Sequence, residues 1–140
     1  MEPSPRHSDL PTLLRHLAPE RQPGVYVFVT VRDPAGIDPT LPVATVREAE
    51  GLTLILQREA ADGLGLSYAY RAAWITLRVR SDLAAVGLTA AVATALAAER
   101  ISCNVVAGYY HDHVFVEETR AEEALAVLRR LSEGSDRLPD

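Results

Sequence analysis

The chain contains no lysine; all 14 of its basic residues are arginine. This absence excludes Schiff-base catalysis, lysine-anchored pyridoxal phosphate and the P-loop lysine together. Cysteine occurs once, as Cys103, so no intramolecular disulfide can form and stability has to come from a hydrophobic core. No apolar run reaches the roughly 20 residues of a membrane span, because arginine or glutamate interrupts each of them. Residues 1–9 carry Pro3, Pro5, Arg6 and His7 in place of the apolar stretch of a secretory signal. The net charge of −5, with no local cluster of arginines, disfavours nucleic acid and anionic lipid. The expectation is a cytoplasmic protein with neither a nucleic-acid nor a membrane partner. What is present suits a packed core: the 140 residues are 48% hydrophobic, enough for one compact unit or two very small ones.

Ser8 and Asp9 precede Leu10, Leu13, Leu14 and Leu17, a spacing that predicts a short amphipathic helix ended by Pro19 and Pro23. Residues 25–31 are β-branched or aromatic throughout, hence a strand covered on both faces. A loop over 32–42 follows, then strands over 43–47 and 52–56 joined tightly through residues 48–51, and two helical turns over 58–64. Residues 73–80 alternate, with Trp74, Thr76, Arg78 and Arg80 on a wetter face and Ile75, Leu77 and Val79 opposite. Leu88, Val92, Leu96 and Glu99 mark one ridge of a helix whose remaining surface is nearly all alanine. Strands are expected over 103–109 and 114–118, around a turn near Tyr110. Over 121–131, Ala124, Leu125, Leu128 and Leu131 face one way, which predicts an amphipathic helix.

Each half therefore reads as an incomplete βαββαβ unit, the first without its opening strand and the second without its closing one. The fold class expected is α+β: two ferredoxin-like (βαββαβ) units in tandem, with antiparallel sheets, helices on one face, and strands shared or exchanged between the units. The division is a disordered N-terminus over 1–8, a first unit over 9–66, a second over 73–132 and a disordered tail over 133–140. Residues 66–72 form the junction.

Two places could carry chemistry. The first is the turn over 81–89, where Gly87 precedes a helix whose unpaired amides and positive dipole end suit a carboxylate. The plainer reading is that Gly87 only turns the chain while Ser81 or Asp82 caps the helix. The second is His111-Asp112-His113. On an extended segment the two histidines point the same way and could supply two metal ligands, with Asp112 opposite. Two ligands do not make a site, and Cys103 lies roughly 20 Å away at about 3.3 Å per residue; a polar hairpin tip is the plainer reading. Ser67 lacks the flanking glycines of a nucleophile elbow. His7 and His16 fall in the N-terminal segment, and the pairs Glu117-Glu118 and Glu122-Glu123 split over two faces. Trp74, Tyr109 and Tyr110 form either an aromatic wall or part of the core.

Residues 73–131 resemble an ACT domain, the small-molecule-binding module of amino-acid regulation. The resemblance rests on Ile75 to Val79, on Val86-Gly87-Leu88, on Leu96 and on Ile101-Ser102-Cys103-Asn104-Val105. Over 24–131 the chain is similar to an uncharacterised bacterial group of tandem ACT proteins. It shares the blocks Pro42 to Glu48, Glu50 to Leu54, Ala84 to Ala91 and above all Asn104-Val105-Val106-Ala107-Gly108-Tyr109-Tyr110-His111-Asp112-His113. The resemblance implies two ACT-type units and a non-catalytic sensor, without cofactor or metal, that binds an amino acid or similar metabolite between modules. Val86, Gly87, Leu88 and Thr89 would hold the ligand from the turn, with Asn104, Val106 and Gly108 on the strand side and Tyr110, His111, Asp112 and His113 as secondary candidates. Val86 stands where the family commonly has proline, and the turn over 81–86 is longer. Exposed sheet edges imply a homodimer. The alternatives are a scaffold that binds a protein and no ligand, and a small enzyme using His111 and Asp112.

Overall fold

The structure is a computed structural model that describes residues 9–135. Helix α1 (Leu10–Arg15) starts where the sequence expects it: Asp9 accepts a hydrogen bond from the Thr12 amide at 3.1 Å, and proline occupies the first turn. The following segment departs from expectation. Pro19 does not merely end the helix but opens a three-residue strand, β1 (Pro19–Arg21), the position within a strand where proline costs no ladder bond. Strands β2 (Tyr26–Val31), β3 (Ala44–Arg47) and β4 (Leu52–Gln57) come next, followed by helix α2 (Arg58–Gly63) and strand β5 (Arg71–Leu77). Helix α3 (Leu88–Ala98), strands β6 (Cys103–Ala107) and β7 (Asp112–Glu117), a 3-10 turn (Glu118–Arg120) and helix α4 (Ala121–Ser135) complete the chain. Residues 133–135 are therefore the last turn of α4 and not tail; the disorder expected over 1–8 and at the extreme C-terminus lies outside the described residues.

All seven strands form one antiparallel sheet in the order β3-β4-β2-β5-β7-β6, with β1 also paired to β5. One edge of β5 is divided between two partners. Its first residues pair with β2 (Tyr26↔Ala72, Val27↔Arg71), and its last three pair with β1 (Pro19↔Leu77, Arg21↔Ile75). The second half, β5-α3-β6-β7-α4, thus receives its missing closing strand from β1, and the first half, β2-β3-β4-α2, closes on the start of β5. The first half does not lack an opening strand, as the sequence suggested, because β2 fills that place. It lacks its first helix, which is replaced by the loop over 32–43.

Helices α1, α3 and α4 cover one face of the second half around Leu13, Leu17, Ile75, Val92, Leu96, Val114 and Leu128. Helix α2 covers Val27, Val29, Leu54 and Leu56 of the first half from the same side. The opposite face carries no helix among the described residues, yet Tyr26, Ile55, Ala72 and Phe115 are buried there. The sheet curls toward this side, so that Val43 and Ala44 at one edge and Val106, Ala107 and Gly108 at the other line a common cavity. This curl corrects the reading of a wet face on β5: Thr76 is 2% exposed and Trp74 only half-exposed.

Candidate functional site

The Gly87 turn is a left-handed N-cap. Gly87 has φ +104°, and no side chain caps α3, so the first amides of the helix keep donors free of intrahelical partners. They border a cavity of ≈180 Å³ shared by Ser81, Asp82, Gly87, Thr89, Ala107 and Asp112. Asp82 is committed to the loop, accepting from the Ala84 amide at 2.9 Å. Asp112 is not so committed: it approaches from the start of β7, and among the described residues its carboxylate accepts one hydrogen bond, a long one of 3.4 Å from the Ser81 hydroxyl. Burial pushes the Asp112 carboxyl above its ordinary value, and the Ser81 contact and the two neighbouring histidines pull it back. One wall of the cavity thus offers amide donors and the other a carboxylate.

The structure divides the expected ligand site. Gly87, Leu88 and Thr89 line the cavity at the helix start, while the Val86 side chain is 84% exposed. Asn104 is exposed and Val106 half-buried, and both project from the other face of β6, because alternate residues of a strand point to opposite sides. Val106 and Gly108 line a second cavity of ≈210 Å³ on the curled face, together with Trp74, His113 and Phe115. Ala107 borders both cavities. Sequence reasoning missed it; the signal that finds it is the pairing Ala107↔Asp112, which joins the end of β6 to the residue facing Gly87.

The hairpin tip also sorts differently from expectation. Tyr109 and Tyr110 are exposed and packed edge-on at 5.0 Å, with Arg80 over the Tyr110 ring at 4.9 Å, so neither joins Trp74 in an aromatic wall. Trp74 belongs instead to the cluster with Tyr26 and Phe115. His111 and His113 have different environments: His111 Nδ1 lies 3.4 Å from the Val79 carbonyl, whereas His113 Nδ1 accepts from Trp74 Nε1 at 2.9 Å. An indole N–H only donates, so His113 Nδ1 carries no proton when the ring is neutral. A metal on Nε2 would require that proton to move and the Trp74 bond to break. Among the described residues no group of three or more histidine, cysteine or acidic side chains could hold a metal ion.

Burial holds the His113 pKa below the ordinary histidine value, with His111 and Arg78 acting in the same direction and Asp112 against it. The unfolded chain then binds more protons than the folded one, so this stability is complete above about pH 6.5 and is lost as pH falls toward the depressed value. The raised Asp112 pKa has the opposite sign, in a window beginning near pH 3.9, where its contribution is lost as pH rises through the folded-state value. The melting midpoint is expected to fall between about pH 7.5 and 5.5, and less steeply in His113→Gln. An identical slope in that variant would show that protonating this ring costs the fold nothing.

The sequence matches the ACT domain family twice, over residues 7–73 and over residues 70–130. The chain belongs to the ACT domain family. The two ACT matches overlap at 70–73, at the start of β5, which is the strand used by both halves of the sheet. A crystal structure from Vibrio cholerae, of a protein of unknown function described as a possible transport protein, is 48% identical. It has a TM-score of 0.79, with 87% of this chain and 94% of that one covered. An Agrobacterium tumefaciens protein shares 18% identity and a TM-score of 0.64, over 81% of this chain and 87% of its own. The ligand-free regulatory subunit of aspartate kinase from Thermus thermophilus shares 10% identity and a TM-score of 0.54, over 81% and 95%. At these last two identities the similarity concerns the fold. No curated protein matches the sequence. Within the second ACT unit, Gly87 occupies the connection from first strand to first helix. No helix among the described residues is long and apolar enough to cross a membrane.

Proposed function

We propose that the protein is a non-catalytic regulatory sensor that binds a free amino acid in the cavity between the start of α3 and Asp112. The observation that carries this reading is the polarity of that cavity. The uncapped amides after Gly87 suit an α-carboxylate, and Asp112, across from them, suits an α-ammonium. Membership of the ACT family and the aspartate kinase regulatory subunit among its structural neighbours support a regulatory role. The unpaired Cys103 accords with a cytoplasmic location, and no cofactor enters the reading.

Leu83 and Val86 beside this cavity, and Tyr109 and Tyr110 on the adjoining turn, are exposed apolar side chains. They favour a second copy of the chain, or another protein, seated over the opening. The outer edges of β3 and β6 carry no further strand among the described residues, a second route to a homodimer. If the ligand function has been lost, the same surface serves a scaffold.

Thermal melting against the twenty amino acids tests the reading. Ligand at about 100 times its Kd adds roughly 2.7 kcal/mol, a rise of several degrees for a chain of this size. Asp112→Asn and Thr89→Ala are each expected to weaken the responding amino acid about tenfold, near 1.4 kcal/mol. No shift with any amino acid at millimolar concentration would leave the scaffold reading.

A further inference from the structure

The cavity on the curled face is built differently from the one at Gly87. Its walls are apolar: Val43 and Ala44 from one sheet edge, Val106 from the other, and the stacked rings of Trp74 and Phe115, 6.1 Å apart and 20° from parallel, at its floor. Among the described residues no carboxylate or guanidinium lines it. Its single polar side chain is His113, whose orientation the surroundings determine. Nδ1 lies 2.9 Å from the Trp74 indole N–H and 3.1 Å from the Thr76 hydroxyl, and that hydroxyl oxygen itself accepts from the Gln22 amide at 3.0 Å. With two donors converging on Nδ1, the proton of the neutral ring sits on Nε2.

Nε2 has no protein partner among the described residues. It lies against Gly108, where an added Cβ would come within 3.1 Å of it and within 2.7 Å of the His111 carbonyl. The missing side chain at Gly108 leaves room in front of the ring. The result is one oriented N–H donor at the border of an otherwise apolar space. A zwitterion would meet no counter-charge there, and an ion would lose its hydration without compensation.

The volume bounds the occupant. A cavity of about 150 Å³ admits benzene, and this one measures ≈210 Å³, room for a single ring with one small substituent. We propose that the cavity is a second ligand site, taking an uncharged molecule the size of a monosubstituted ring whose carbonyl-type oxygen accepts a hydrogen bond from His113 Nε2. Its chemistry is separate from that of the amino-acid site, although Ala107 borders both cavities.

The test exploits the fact that Trp74 is the only tryptophan in the chain, so its indole N–H gives a single ¹H–¹⁵N resonance next to His113. Acetophenone is titrated against α-methylstyrene, which has the same shape with a methylene in place of the oxygen. The expected result is a saturable shift of the indole resonance by acetophenone, at least tenfold tighter than for α-methylstyrene. Nuclear Overhauser contacts are expected between the acetophenone methyl group and the rings of Trp74 and Phe115. Val43→Phe, at a wall position that is 40% exposed, should abolish the shift. The proposal is overturned if acetophenone does not saturate, if the two probes bind equally, or if the contacts map elsewhere; the contacts decide the matter even if Val43→Phe misfolds. Amino acids that raise the melting point should leave the indole resonance in place, so failure here and failure of the amino-acid reading are distinguishable.

Discussion

A chain that begins at Gly24 is expected not to fold. The removed segment, which contains α1, β1 and the link between them, supplies Leu13 and Leu17, both 0% exposed, and Leu14, 5% exposed, to the core over the second half of the sheet. Cutting a single buried leucine to alanine costs about 2–5 kcal/mol. Removing three approaches or exceeds the roughly 5–15 kcal/mol of a typical domain's entire stability. The same cut strips β1 from β5 and leaves the backbone of residues 75–77 without a neighbour on that edge. Far-UV circular dichroism and ¹H–¹⁵N dispersion of the shortened chain would show the loss. A synthetic peptide of residues 9–23 added in trans should restore it, because the contact is between separate elements and not within a continuous one. A cooperative melt of the shortened chain alone would show that the second ACT unit closes by some means other than β1.

The second large effect is expected from Gly87→Val, and it concerns stability before binding. At φ +104° a β-branched residue is a backbone outlier, and strain of this kind costs on the order of 1–3 kcal/mol. The new Cβ would also sit 3.2 Å from Leu10 Cδ2 of α1, tighter than ordinary packing. Together these should lower the unliganded melting midpoint by about 5–10 °C. Gly87→Asn separates the two causes. Asparagine tolerates the left-handed region better than valine, so it should cost visibly less if the backbone is responsible, and about the same if the contact with Leu10 dominates. An unchanged midpoint in Gly87→Val would mean that the turn relaxes to another conformation. Because the fold itself depends on Gly87, loss of a ligand response in this variant would say little about ligand contacts. The exposed Thr89 is the cleaner probe, since Thr89→Ala keeps the backbone and removes one hydroxyl.

Much of the fold was legible because its signals are local. The Asp9 cap, the Leu88-Val92-Leu96 ridge of α3 and the β-branched run of β2 depend on neighbours a few residues away, and all three appear in the structure. The Gly87 turn was legible in place, since a glycine ahead of a helical pattern marks a turn, but its φ of +104° appears only in the structure. Less of the candidate site could be read. Asn104, Val106 and Gly108 were grouped with the turn on resemblance, but strand alternation sends Val106 to the curled face, and only the neighbouring Ala107 also borders the cavity at the start of α3.

The sequence by itself determined most of the helices and strands, because periodicity and capping act over one or two turns of chain, while its motif blocks carried the resemblance to tandem ACT domains. The tertiary structure alone decided that Pro19–Arg21 closes the second unit and that β5 serves both. A three-residue strand has no period of its own, and its partner Ile75–Leu77 lies more than fifty residues away, so only the packing of α1 onto α3 and α4 brings the two together. The curl of the sheet was settled at the same level. Tyr26, Ile55 and Phe115 are buried without a covering helix among the described residues because the sheet curls over them, and that curl forms the cavity lined by His113 and Trp74.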